Sequence, residues 1–439
     1  MTLSIIVLAA GKGSRMNSSL PKVFHEVGNY PMINHVLDTV SSLNPKILLT
    51  VISDELNDYK KKINQQYKKL QFALQKKRNG TADAVKVALK RIKNDESSTT
   101  IILYGDTPLV KSETLKKALN FYKKNNLDLC VLSMLPKSQN NSYGRLYFED
   151  GKLSQIIEKV EINKDNFLQC SEFCNSGIMI FNKKKLNNNV DKVKNNNKKK
   201  EFYLTDLVNI FYKKDFKIGH FSSSEDEFSG VNNMSELSKV NKIFQNRQRT
   251  NFLNKGVNIL DEETVFFSYD TKIGKNVLIQ PNVFFGKGVE VKSNVVIKSF
   301  CHIENTIIDS NTTIGPFARL RDQTKISSGS KIGNFVEIKK SNIYKDVKIS
   351  HLSYIGDAII RDRTNIGAGS ITCNYDGKNK NKTMIGSDCF IGSNTSLIAP
   401  LVIAKNTTIG AGTIINKNAS ANSLIYRKSE LIRKEKKKK

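Results

Sequence analysis

Three short runs in this 439-residue chain carry residue types that could do chemistry. The first is Ala9-Ala10-Gly11-Lys12-Gly13-Ser14-Arg15-Met16, followed by Pro21-Lys22. Small residues let backbone N–H groups approach phosphate oxygens, and Lys12, Arg15 and Lys22 add positive charge where a polyphosphate would lie. The spacing is not that of a P-loop, nor of the dinucleotide fingerprint, where Met16 stands in place of the third glycine. Taken alone, the run reads equally well as a structural turn. The second run, Tyr104-Gly105-Asp106-Thr107-Pro108-Leu109, offers one carboxylate that could hold Mg²⁺ against a polyphosphate, or cap the helix begun near Ser112. The third, His351-Leu352-Ser353-Tyr354, offers an imidazole that, when neutral, can take the proton of an attacking amine. A lone histidine is also a common structural residue.

Two kinds of element must position these runs. Leu3 to Leu8 and Thr100 to Leu103 are continuous apolar stretches typical of buried parallel strands, each ending in one of the first two runs. They predict an α/β Rossmann-like domain over residues 1–232, with ligands at the carboxyl ends of its strands. Between 233 and 254, Leu237, Val240, Phe244, Phe252 and Leu253 have helical spacing and predict a linker helix.

From about Val257 the period becomes six, which predicts a second domain over residues 255–439 with a basic C-terminal tail. Aliphatic or aromatic residues recur at Ile273, Ile279, Phe285, Val291, Ile297 and Ile303, at Ile314, Leu320, Ile326, Ile332 and Ile338, and from Ile385 to Ile415. Six residues per side and three sides per coil predict a hexapeptide-repeat parallel β-helix, its aliphatic residues pointing into a narrow prism. A scaffold alone would show the same repeat. The runs His351–Tyr354, Asn365–Gly369 and Thr372–Gly377, and the loop through Lys378 to Lys382, interrupt it with polar and aromatic residues, where functional groups are expected.

The first half also contains Gln75 with Asn79-Gly80-Thr81-Ala82, Tyr143-Gly144-Arg145, Glu158, Asn175-Ser176-Gly177 and Gly230-Val231-Asn232-Asn233. Together with the LAAGKGSRM and YGDTPL runs, these resemble the sugar-nucleotidyltransferase family, in the order and spacing of its bacterial UDP-N-acetylglucosamine pyrophosphorylase branch. The resemblance implies that Leu8, Ala9, Gly11 and Lys22 contact UTP, with Gln75, Gly80 and Thr81 around the uracil. It implies Arg15 as a transition-state stabiliser, Lys22 as a second cation there, and Asp106 and Asn232 as Mg²⁺ ligands. Gly144, Glu158 and Asn175 would hold the sugar, and Tyr203, Thr205 and Asp206 match the family's YxTD run. Two departures stand out: Arg78, where bacterial relatives usually carry Gln, and Lys159-Val160-Glu161 after the sugar-binding Glu158.

The second half resembles the left-handed β-helix acetyltransferases, through GPFARLR (315–321), GNFVEIKK (333–340), HLSYIGDA (351–358) and NIGAGSITCNYDG (365–377). In particular it is similar to the glucosamine-1-phosphate acetyltransferase domain found in the same bifunctional family. The resemblance implies His351 as the general base and Arg321, Lys339, Tyr354 and Asn365 around the sugar phosphate. Ala368, Asn374, Tyr375, Ser393 and Ala411 would line the acetyl-coenzyme A groove, with Arg427, or Lys428 one residue on, at the coenzyme phosphates. A homotrimer is implied as well.

A net charge of +29 would ordinarily suggest a nucleic-acid partner. Here Lys and Asn recur together in loops such as Asn187 to Lys200 and Lys378 to Lys382 without an aromatic-basic module, so solvated faces are expected, as is a disordered Lys434–Lys439 tail. No stretch approaches the roughly 20 apolar residues that cross a bilayer, and the chain reads as cytoplasmic. Its six cysteines lack metal-site spacing and are expected to be reduced thiols.

Overall fold

A run of apolar residues without alternation must be covered on both faces. Leu3–Leu8 (β1) satisfies this at the centre of a mixed sheet. The other strands are Ile47–Ile52 (β2), Leu70–Leu74 (β3), Thr99–Tyr104 (β4), Leu129–Leu135 (β5), Arg145–Glu149 (β6), Lys152–Ile157 (β7), Cys170–Asn182 (β8) and Ile218–Ser224 (β9). The order is β9-β5-β8-β4-β1-β2-β3, with the β6–β7 hairpin attached to β8. Strands β3, β2, β1 and β4 are mutually parallel, so the turns that follow them all emerge at one edge. Strand β8 is antiparallel to both β4 and β5. Two apolar clusters cover the two faces, one including Ile33, Val36 and Leu37 of helix Met32–Ser41 (α1), the other Ala82, Val85 and Ala88 of helix Thr81–Arg91 (α2).

The computed structural model describes residues 2–93, 95–138, 141, 143–162, 170–428 and 432–435. The expected Lys434–Lys439 tail therefore lies largely outside the described residues. The chain divides into two compact units, Met1–Phe244 and Gln245–Lys439. All six cysteines are free thiols. The Asn187–Lys200 run is less solvated than its composition suggests, because Val190 and Val193 join the core and Asn189 is buried, donating to the Lys185 carbonyl at 2.8 Å.

A helix spans Met234–Asn254. Val240, Phe244 and Phe252 are buried on it, as their spacing requires, whereas Leu253 is exposed. Two polar residues are buried instead. Gln245 exchanges two 2.8 Å hydrogen bonds with the backbone of Phe267, and Arg249 donates to the carbonyls of Val265 and Glu263. These side chains satisfy backbone groups that the first β-helix coil would otherwise leave unpaired.

The second unit is a three-sided parallel β-helix. Side 1 stacks ten short strands from Asn258–Ile259 to Leu424–Ile425. Side 2 has eight, from Phe284–Phe285 to Ile414–Ile415, and side 3 eight, from Lys272–Ile273 to Leu401–Ile403. The register stacks isoleucine on isoleucine: Ile279, Ile297, Ile314, Ile332, Ile349, Ile366, Ile391 and Ile409 pair in succession on side 1. Successive members lie 17 or 18 residues apart, except that 25 separate Ile366 from Ile391, where the Asn374–Lys382 excursion enters. The break in the six-residue period after Ile303 is filled by Ile308, buried on side 3. Truncation in this column leaves a cavity that stacked neighbours cannot close, so Ile349→Ala should cost about 2–5 kcal/mol of stability. Chemical denaturation should show this, with the outward-facing Ile307→Ala changing stability by only about 0.5 kcal/mol.

Candidate functional site

The first site forms where β1, β3 and β4 end. The parallel ladder continues one residue past β1, with Ala9 N–H donating to Val51 O and Gly105 N–H to Leu8 O, both at 2.9 Å, and this fixes where the glycine-rich run leaves the sheet. Gly13 and Asn17 adopt left-handed backbone on either side of the short turn Ser14–Met16. Met16 is fully buried, so the residue that breaks the dinucleotide fingerprint anchors the loop's far end.

A cleft of about 370 Å³ opens beside this loop, lined among others by Leu8, Ala9, Gly11, Lys12, Lys22, Gln75, Arg78, Gly80, Thr81, Asp106 and Asn232. The Lys22 ammonium lies directly against the Asp106 carboxylate and 3.4 Å from Asn232 Oδ1, which also accepts from Arg15 at 3.0 Å. Asn232 is held in turn by Glu236, whose carboxylate accepts from its backbone N–H at 2.7 Å. Asp106 does not cap the following helix, Ser112–Lys124 (α3), whose N-cap position is Lys111. One carboxylate and one amide oxygen, both hard donors, suit a Mg²⁺ ion that takes its remaining ligands from phosphates and water. Among the described residues no group of three or more His, Cys, Asp or Glu lies together as a metal cage.

Gln75 donates to the Gly80 carbonyl at 3.1 Å and to Asp83 at 2.8 Å. Gly80 has a φ of 115°, and a Cβ there would sit 2.5 Å from the Phe202 carbonyl oxygen. The bare glycine lets Phe202 N–H reach Asn79 O (2.7 Å) and Ala82 N–H reach Phe202 O (2.9 Å). Through this seam and the bond from Leu204 N–H to Thr81 Oγ1, the YxTD segment reaches the cleft. Thr205 then donates to Glu158 at 3.0 Å, and Gly144 O accepts from Asn175 N–H at 2.8 Å with Glu158 packed beside Gly144. Gly144, Glu158 and Asn175 thus form a second group, linked to the cleft by the YxTD segment. Desolvation pushes the Glu158 carboxyl above its usual range. Burial, reinforced by Glu158 and Glu161, pushes Asp206 up to about 6. Glu201, unsuspected from the sequence, also lines the cleft.

In the second unit the coil register produces a column that the sequence hides. Asn334, His351, Ala368, Ser393, Ala411 and Arg427 each stand two positions after a paired side 1 isoleucine: Ile332, Ile349, Ile366, Ile391, Ile409 and Ile425. Their carbonyls continue the ladder, with Leu352 N–H donating to Asn334 O, Gly369 to His351 O, Asn394 to Ala368 O and Gly412 to Ser393 O. The expected base and most of the expected coenzyme groove therefore share one corner. His351 Nδ1 is 2.5 Å from the Asn334 amide oxygen. An amide oxygen accepts, so this contact suits an Nδ1–H ring, whose neutral form has its lone pair on Nε2. The sequence reading missed Asn334; its pairing opposite His351 is a matter of coil register.

On side 2, Arg321 pairs with Lys339, and Lys339 with Gly356, along the stack. Arg321 donates to Glu337 (2.7 Å) and Asp322 (2.8 Å). The buried Asp357 carboxylate accepts from Asn374 at 2.6 Å and lies 3.9 Å from Lys339. Tyr354 packs its hydroxyl beside Gly356 and Asn374. Lys380, from the excursion through Lys378 to Lys382, lies against Lys339, and hydrogen bonding to Lys339 together with its repulsion holds Lys380 below the usual lysine range. Tyr375 is exposed, its hydroxyl donating to Gly377 O at 2.7 Å. Asn365 stands apart from Arg321 and Lys339, on side 1. Arg427 lines a shallow 340 Å³ cavity with Ile415 and Tyr426.

A sheet with a cationic cleft at its carboxyl edge, joined to a hexapeptide β-helix with a poised imidazole, defines a two-domain transferase. The Nucleotidyl transferase family model matches residues 4–225, and the Bacterial transferase hexapeptide (six repeats) model matches 270–305 and 382–417. The chain is 41% identical over 435 residues to the bifunctional protein GlmU of Wolbachia pipientis wMel, covering 99% of this chain and 98% of that one. It is 39% identical to that of Bartonella bacilliformis (98% and 95% covered) and 40% to that of Paramagnetospirillum magneticum (96% and 92%). The chain belongs to the bifunctional GlmU family.

The raised Asp206 carboxyl has a measurable consequence. The folded state binds its proton more tightly than the unfolded chain does, so this contribution to stability is present at low pH and lost as pH rises through about 6. Relative to Asp206→Asn, the wild type should lose stability between about pH 4 and about pH 6 and show a constant difference above that, measured by denaturation across the range.

Proposed function

We propose that this chain makes UDP-N-acetylglucosamine in two steps: acetyl transfer from acetyl-coenzyme A to glucosamine 1-phosphate in the β-helix, then uridylyl transfer from UTP to N-acetylglucosamine 1-phosphate in the α/β unit. In the second step a sugar-phosphate oxygen bonds to the α-phosphorus of UTP as the bond to the bridging oxygen breaks and pyrophosphate leaves. Such a transfer needs positioning and positive charge more than an acid or a base. The observation that carries this reading is the convergence of Lys22, Asp106 and Arg15 around Asn232 at the edge where the parallel strands end. Asp106 and Asn232 would hold Mg²⁺, which when bound neutralises phosphate charge. Arg15 and Lys22 stabilise charge on the transferring and leaving phosphates. Leu8, Ala9 and Gly11 bring backbone to UTP, Gln75, Gly80 and Thr81 surround the uracil, and Gly144, Glu158 and Asn175 hold the sugar.

For acetyl transfer, the sugar amine attacks the thioester carbonyl, Nε2 of His351 takes the amine proton, and the C–S bond breaks to release coenzyme A. The Asn334-fixed tautomer supports this role. Arg321, Lys339 and Tyr354, with Asn365, bind the sugar phosphate, and Lys380 adds a cation beside Lys339. Ala368, Asn374, Tyr375, Ser393, Ala411 and Arg427 take the coenzyme. A homotrimer built on the β-helix is supported by a ladder of half-exposed rings at one corner, where Phe300, Phe317 and Phe335 stack at 4.8 and 5.0 Å. No described helix is long and apolar enough to cross a membrane, and we place the activity in the cytoplasm, feeding peptidoglycan and lipopolysaccharide precursors.

The test supplies glucosamine 1-phosphate, acetyl-coenzyme A, UTP and Mg²⁺ and follows coenzyme A and pyrophosphate separately. His351→Ala should stop coenzyme A release but still release pyrophosphate when given N-acetylglucosamine 1-phosphate, and Asp106→Ala should do the reverse. Arg15→Ala should slow pyrophosphate release by about 10²-fold or more, the effect of removing one preorganised donor. Release of only one product by the wild type would restrict the function to one unit, and a near-normal rate for Arg15→Ala would remove its assigned role.

A further inference from the structure

Arg78 departs from the family pattern, and the proposed contacts to UTP do not use it, yet it lines the nucleotide cleft. Its side chain is part-buried and engaged in two directions. Nε donates to the Ala10 carbonyl at 3.0 Å, and Nη2 lies 2.7 Å from the Glu55 carboxylate. Three loops meet at this guanidinium: the glycine-rich run after β1 through Ala10, the turn Asp54–Tyr59 after β2 through Glu55, and the segment between β3 and α2 that carries Arg78 itself.

A peptide unit is planar and trans, so its C=O and the next N–H point in opposite directions. A donor fixed on the Ala10 carbonyl therefore also fixes the Gly11 N–H, directing it away from Arg78. Gly11 has no Cβ, and open space surrounds the position a Cβ would take, so packing does not hold this peptide plane. The guanidinium is suited to the task because its planar fork can serve a carbonyl and a carboxylate at once, which a lysine ammonium on a flexible stem cannot do with the same geometry. Glu55 balances its charge, so Arg78 acts as a clamp on backbone and not as another phosphate ligand.

We propose that Arg78 is a positioning residue for nucleotide binding: braced by Glu55, it holds the Ala10–Gly11 peptide so that the Gly11 N–H is preorganised for the UTP phosphates. This rests on the uridylyl-transfer reading. The clamp is formed before substrate arrives and acts alike on ground and transition states, so its loss falls on KM for UTP and leaves kcat and the sugar-phosphate KM in place.

The experiment measures pyrophosphate release by the full-length protein at varied UTP and varied N-acetylglucosamine 1-phosphate for wild type, Arg78→Met, Arg78→Lys, Glu55→Gln and the Arg78→Met/Glu55→Gln double variant. Far-UV circular dichroism and thermal unfolding of the same samples report whether the α/β unit is folded in each variant. Arg78→Met should raise KM for UTP about tenfold, as expected for the loss of a charge-assisted hydrogen bond, with kcat and the sugar-phosphate KM within about twofold. Arg78→Lys should restore part of that loss, and Glu55→Gln should raise the UTP KM by a smaller factor that disappears in the double variant, because the two residues act through one contact. An unchanged UTP KM in Arg78→Met, an equal rise in both KM values, or fully additive effects would overturn the assignment. Wild type that releases no pyrophosphate would instead overturn the uridylyl-transfer reading, and this assignment with it.

Discussion

Parallel strands can pair only if the chain returns each time to the same end, and both units of this protein place their chemistry where that return begins. In the α/β unit, β1, β2, β3 and β4 run in one direction, so the glycine-rich run, the Glu55 turn, the Gln75–Thr81 segment and Asp106 leave the sheet along one edge. In the β-helix the same requirement operates at every coil. Each strand must stack on the one a coil earlier, and the residue two places beyond each side 1 isoleucine falls into a column. Backbone pairing, satisfied strand by strand, thus builds the two surfaces on which substrates would lie.

Charge is organised on those surfaces by burial and pairing. In the cleft, Lys22 and Arg15 meet on a single amide oxygen beside Asp106, so positive charge gathers at one point with a carboxylate in place. Beyond it, Glu158 and Asp206 sit where desolvation opposes ionisation. On the β-helix, Lys339 and Lys380 lie together with Asp357 as partial counter-charge. The chain's overall excess of cations is a poor guide to any of this, because only a few of them converge.

Several polar side chains act on other residues of the chain. Asn334 selects the proton position on His351, Glu236 holds Asn232, and Gln245 and Arg249 complete the backbone hydrogen bonding of the first β-helix coil. Arg78 belongs to this group, with the difference that it acts on a peptide plane. For Gln245 and Arg249, which reach backbone 16 to 22 residues away, the cost of leaving a buried polar group unpaired gives the contact its weight.

Much was legible in the chain alone. The six-residue period gives the β-helix and its core, because every sixth side chain must point inward whatever lies elsewhere, and apolar runs ending in Gly-rich or Asp-bearing turns give the α/β sheet and its ligand edge. The family runs supply the expected site residues, of which Leu8, Ala9, Gly11, Lys22, Gln75, Gly80, Thr81, Asp106 and Asn232 lie along one cleft, with Arg15 bonded to Asn232. What the sequence leaves open is pairing across distance. That Asn334 lies opposite His351, that Lys380 folds back onto Lys339, that Gly80 must be bare to admit Phe202, and that Arg78 reaches both Ala10 and Glu55 depend on coil register and loop meeting points. Local propensity and period fix the elements, because they act between near neighbours. Partners that come together only when separate strands align in space are decided by the tertiary structure.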